Sequence, residues 1–143
     1  ATWTNIVSVE DAFVEGYLKG RVLGLSLDLE LLTDTFFAKL KAMIDQFKKD
    51  REFYSNAVCH ILADTQTMLA LEYVDKDAKQ AEIVVFSHKS KQDSICVYPA
   101  LDANGSYIID GAIEKEAAKI LETGLEIPVT MPYTAKIVRL TKK

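Results

Sequence analysis

A chain of 143 residues is near the commonest size for a single domain, so 1–143 is read as one unit around one core. Apolar residues at 49% against 27% charged exclude a largely disordered chain, and no apolar run is long enough to cross a bilayer. A formal net charge of −4 argues against non-specific nucleic-acid binding, which depends on Lys and Arg neutralising phosphates.

The opening ATWTNIVSVED has neither a basic region nor an apolar one of the kind that directs export, so a cytoplasmic setting is expected. Residues 1–7 read as a tail or edge strand anchored by Trp3. A helix is expected to follow, with Ser8 as its cap and Asp11 as the acidic half of a capping box. Val9, Phe13, Leu18 and Val22 give it an apolar face, while Gly16, Gly20 and Gly24 weaken it by about 1 kcal/mol each relative to Ala.

Residues 25–31, LSLDLEL, alternate like a strand but are read as the lead-in to a long helix, with Ser26 or Asp28 as the cap. That helix is the strongest pattern in the chain. In residues 33–50, Phe36, Phe37, Leu40, Met43, Ile44 and Phe47 fall on one stripe, with Lys39, Lys41, Asp45, Gln46, Lys48 and Lys49 opposite. Its end is expected near 50–53, where Lys48, Lys49 and Arg51 suit the negative pole of the helix dipole. The stripe is read as core.

From Tyr54 the pattern changes to short apolar runs at 57–63, 67–74, 81–87, 94–98 and 106–109, which suit strands. Residues 75–80 and 88–93 read as hairpin connections, and Asp102-Ala-Asn-Gly105 as a tight turn. Residues 57–70 stay ambiguous between strand and a helix capped by Ser55 or Asn56. A second helix is expected over 110–124, capped by Asp110, striped by Ile113, Ala117, Ile120 and Leu121, and stopped by Gly124. Pro128 and Pro132 punctuate an extended stretch, and 135–140 closes as a strand. The expected fold is α+β: N-terminal helices on one face of an antiparallel sheet of four to six strands, with a short helix before the final strand.

Chemistry-bearing residues are sparse. Cys59 and Cys96 read as free, buried thiols. No pair among Cys59, His60, His88 and Cys96 has a recurring ligand spacing, so no metal or other cofactor is expected. His88-Lys-Ser has the spacing of a His-x-Ser phosphoesterase element, but His60 is followed by Ile-Leu and supplies no second copy. Glu72 stands out inside the apolar run LALEYV: in solvent it is ordinary, and in the core its pKa would rise. The solvent-facing reading is preferred.

These features favour a small, non-catalytic binding or regulatory protein acting through a protein–protein surface. Residues 1–35 hold six acidic and two basic side chains, so Glu10, Asp11, Glu15, Asp28 and Glu30 are the expected binding residues. The partner is a protein or a second copy of the chain. The alternative is a small-ligand-binding protein or small enzyme, with a pocket between sheet and long helix formed by His60, Glu72 and Tyr73.

Overall fold

The computed structural model describes residues 33–88, 92–129, 132 and 134–143, together with the backbone of Thr2–Thr4 and Leu23–Leu25. These two short strands, β1 (Thr2–Thr4) and β2 (Leu23–Leu25), pair in parallel. The helix expected from Ser8, and the carboxylates Glu10, Asp11, Glu15, Asp28 and Glu30, lie outside the described residues.

The long helix α1 spans Asp34–Asn56. Thr33 caps it, its side chain accepting the Phe36 N–H at 3.3 Å, so the helix starts later than a Ser26 or Asp28 cap implies. It also ends later. No breaker interrupts residues 51–56, and Lys48, Lys49 and Arg51 sit inside the helix rather than at its end. Ser55 and Asn56 close the last turn, both donating to the Glu52 carbonyl, at 3.0 and 2.9 Å. Of the stripe read as core, only Leu40 is buried, while Phe37 is exposed and the others are half-buried. The extra turns add the better anchor: Tyr54, two turns beyond Phe47 and 2% exposed.

Residues 57–70 resolve as strand, turn and strand. β3 (Val58–Asp64) and β4 (Met68–Val74) are joined by a turn in which Thr65 Oγ1 accepts the Met68 N–H at 2.9 Å. Such side-chain hydrogen bonding favours a turn over helix continuation. β5 (Gln80–Ser87) then pairs with β4 on one side and with the last strand, β10 (Thr134–Lys142), on the other. With β7 (Ser106–Ile109) and β8 (Ile113–Glu116), they form a six-stranded sheet in the order β3-β4-β5-β10-β7-β8, antiparallel throughout. β5 is buried from Ala81 to Ser87, as befits a central strand whose apolar run Ile83–Phe86 is covered on both faces.

Two expectations fail here. β6 (Ser94–Val97) does not form a hairpin with β5; it pairs with β9 (Leu125–Pro128) in a separate two-stranded sheet. Nor is 110–124 one helix. Asp110 and Gly111 both take positive φ, 49° and 71°, and turn the chain from β7 into β8, leaving only α2 (Ala117–Thr123) helical. Asp-Gly is a strong signal for a primed hairpin turn, and it outweighs the helical spacing downstream. Gly124, at φ 80°, still ends α2, and Ile120 and Leu125 on either side are both buried.

Among the described residues the architecture is therefore mostly antiparallel sheet with one long helix. One face of the six-stranded sheet carries the main core: Met68, Ala70, Val74, Ile83, Val85, Val138 and Leu140 pack with Val97, Ile120, Leu125 and Ile127 of the small sheet and α2. Burying each Val, Leu, Ile or Met side chain among these is worth about 1.5–3 kcal/mol. The opposite face carries a smaller cluster of Val84, Phe86 and Ala135 with Leu69, Leu71, Tyr73 and Ile137. Tyr54 of α1 meets this face, its ring edge-on to Tyr73 at 5.1 Å.

Candidate functional site

In an antiparallel ladder, directly opposed residues share a face and successive residues alternate. Glu72 opposes His60 and Ile83, while Tyr73 opposes Cys59 and Glu82. The two buried glutamates, Glu72 and Glu82, therefore lie on opposite faces of one sheet.

Glu72 is fully buried on the main-core face, against the expectation that it meets solvent. The strict in–out alternation of β4 puts its even-numbered residues inside. Its two carboxylate oxygens each lie 3.0 Å from the Ala100 amide nitrogen and accept that one N–H. Burial raises the Glu72 pKa above the ordinary carboxyl value, with the Ala100 N–H and nearby His60 pulling the other way. His60 is half-buried beside it, but Tyr73 points to the other face and packs on Tyr54. The trio His60, Glu72 and Tyr73 does not converge on one pocket.

On the helix side, Glu82 is 5% exposed and held from two directions. The Tyr54 hydroxyl donates to its Oε1, and Arg139 Nε donates to its Oε2 at 2.9 Å. Arg139 stands directly opposite Glu82 in the β5–β10 ladder. Burial, and then the Glu82 charge, drive the Tyr54 pKa far up. Burial works against the Arg139 cation, but the neighbouring Glu82 carboxylate outweighs it and raises the Arg139 pKa. Asp50, one turn before Tyr54, acts electrostatically on both, and its two oxygens accept from Gln46 Nε2 at 2.9 Å.

Above this network opens a cleft of about 190 Å³, lined by Asp50 and Phe53 from α1, Gln80 and Glu82 from β5, and Arg139 and Thr141 from β10. Gln80 opposes Thr141 as Glu82 opposes Arg139, so the four strand residues face the helix together. Sequence reasoning missed this group. The available signal was a charge inside an apolar strand: Glu82 alone in AEIVVFS and Arg139, with Lys136, in AKIVRL, as with Glu72.

Cys59 and Cys96 are unpaired, as expected, but both are exposed rather than buried. Cys59 sits on the edge strand β3 and Cys96 in the two-stranded sheet, so neither is enclosed. Among the described residues, no three His, Cys, Asp or Glu side chains are grouped to hold a metal ion, and no helix is long and apolar enough to cross a membrane.

No protein-family model and no curated protein sequence matches the chain. Solved structures do. A GH36 α-galactosidase from Geobacillus stearothermophilus, in complex with raffinose, superposes with a TM-score of 0.77 at 19% identity, covering 90% of this chain and 19% of that one. The galactosidase domain of an α-galactosidase–sucrose kinase gives 0.72 at 20% identity, over 84% and 18% of the two chains. An α-galactosidase from Lactobacillus brevis gives 0.72 at 16% identity, over 85% and 18%. At these identities the likeness is one of fold, and the chain spans less than a fifth of each neighbour's length. The expectation of a non-catalytic regulatory protein acting through a protein–protein surface is overturned by these neighbours, which are parts of glycoside hydrolases.

Proposed function

We propose that the chain is a β-rich accessory domain of a carbohydrate-active enzyme of the α-galactosidase kind. The observation that carries this is the pair of coverages: the fold match takes in 84–90% of this chain yet 18–19% of the galactosidase chains. The chemistry supports the accessory role. Glycoside hydrolysis ordinarily uses two carboxyl groups about 5–10 Å apart, flanking one bond. Among the described residues the two buried glutamates, Glu72 and Glu82, look out from opposite faces of a sheet and cannot flank one sugar. Each is engaged in holding the fold. In this reading the long helix is the cover of one sheet face, and hydrolysis is carried by residues beyond those described. A reducing, cytoplasmic setting belongs to the same reading, supported by the unpaired thiols of Cys59 and Cys96.

Two assays with p-nitrophenyl α-galactoside test it. The isolated chain should release no nitrophenol above background. The assembly or polypeptide recovered from source cells with an antibody to this chain should hydrolyse it. Turnover by the isolated chain would refute the accessory role, and an inactive recovered assembly would refute the α-galactosidase reading.

A further inference from the structure

The cleft between α1 and the β5–β10 ladder gathers polar side chains around one aromatic ring. Its floor is the Tyr54–Glu82–Arg139 network, which holds two of its lining groups in fixed positions. One wall is the Phe53 ring, itself fixed edge-on to Tyr54 with ring centroids 5.1 Å apart. Around the rim stand Asp50, an acceptor; Arg139, a donor; and Gln80 and Thr141, which do both. The Arg139 side chain is 54% exposed, so its guanidinium reaches solvent while its Nε stays on Glu82. The volume, about 190 Å³, is below the roughly 300 Å³ at which drug-sized sites begin.

We propose that this cleft is a non-catalytic subsite for one neutral hexopyranose ring, with the apolar face of the sugar on Phe53 and its hydroxyls shared among Asp50, Gln80, Arg139 and Thr141. An anion is disfavoured, because Asp50 and Glu82 stand beside the single cation Arg139 in the lining. A purely apolar ligand is disfavoured by the polar rim. A sugar ring satisfies both conditions, since adjacent hydroxyls donate to a carboxylate and accept from a guanidinium while the C–H face packs on an aromatic ring. The choice of a galactosyl ring over other hexoses rests on the α-galactosidase reading above. The subsite lies on the face away from Glu72 and makes no use of it.

The test is a ¹H–¹⁵N titration of the chain with methyl α-galactopyranoside, and separately with raffinose, which distinguishes a lone ring from a terminal residue of an oligosaccharide. For so small a ligand the expected dissociation constant is on the order of 1 mM, with saturable shifts at Phe53, Gln80 and Thr141. Equal affinities mean that one ring fills the site, and tighter raffinose binding means that contacts continue past it. Either supports the subsite. Gln80→Ala and Thr141→Val, both at exposed positions, should each weaken binding about fivefold with the melting temperature unchanged, roughly one lost neutral hydrogen bond. Phe53→Ala should abolish it. His60→Ala, on the other face, should leave it as it was. No saturable shift up to about 20 mM of either sugar, shifts centred elsewhere, or full affinity in all three cleft variants would overturn the proposal. An assembly that hydrolyses α-galactosides while this chain binds no sugar removes the subsite alone. Sugar binding by this chain within an inactive assembly removes the enzyme reading alone.

Discussion

The two faces of the central sheet each bury a glutamate, and they solve the problem in opposite ways. On the main-core face Glu72 has lost all contact with water and is met by one backbone N–H, from Ala100, with His60 at its side. On the helix face Glu82 is almost as buried but is met by a guanidinium and a phenol. A carboxylate in an apolar site either finds a cation and hydrogen bonds or is driven toward its neutral form. Glu82 follows the first course and Glu72 the second. Neighbours on one strand pair can therefore carry opposite electrostatics, because the sheet between them separates their surroundings.

The sharpest way to break this contrast is to remove Glu82. Glu82→Ala leaves the Arg139 cation and the Tyr54 hydroxyl without their shared acceptor. Removing one partner of a buried ion pair costs about 3–5 kcal/mol, and the partial exposure of Arg139 puts this case at the low end, about 3 kcal/mol. Urea unfolding of the variant against the parent measures it. A loss under about 1 kcal/mol would mean that the pair is ornamental and the two faces are electrostatically alike.

Much of this arrangement was legible in the sequence and some was not. The apolar runs at 67–74, 81–87 and 135–140 correspond closely to β4, β5 and β10, because no competing local signal interrupts them. The stripe from Phe36 to Phe47 correctly marks a helix. The stripe does not mark the helix's anchor, which is Tyr54, beyond the point where the cationic run at 48–51 suggests an end. The pairing of β6 with β9 joins residues about thirty positions apart and leaves no local trace. The same holds for the network: Tyr54, Glu82 and Arg139 are 28 and 57 residues apart, and strand register aligns Glu82 with Arg139 while the packing of α1 on the sheet brings Tyr54 to them. Glu72 was singled out from its apolar surroundings, but composition alone does not say which way a strand faces.

A smaller effect tests the phenol. Tyr54→Phe keeps the ring contacts with Phe53 and Tyr73 and deletes only the donor to Glu82, a loss of about 1 kcal/mol near neutral pH. The folded pKa of Tyr54 lies above its unfolded value of 10.0, so its contribution is complete below pH 10 and declines as pH rises beyond it. The deficit of the variant should therefore narrow in alkali. In the parent, a spectrophotometric titration should leave at least one of the six tyrosines un-ionised until the fold is lost. Ionisation of all six with the fold intact would place Tyr54 in water.

The finest discrimination comes from Glu72, whose removal should help rather than harm. Its folded pKa is raised above the unfolded value of 4.5, so its contribution is fully present below pH 4.5 and is lost as pH climbs to the folded value. Glu72→Gln keeps an acceptor for the Ala100 N–H and removes the group that must either hold a proton or bury a charge. At pH 4 the variant should gain nothing. Above 4.5 its advantage over the parent should grow, then level off once pH passes the folded pKa. Stability curves of the two proteins from pH 4 to 8 carry the answer in their difference. A difference that stays flat across this range would mean that burial does not act on the Glu72 carboxyl. A difference that moves the other way would mean that His60 and Ala100 hold the anion more strongly than burial opposes it.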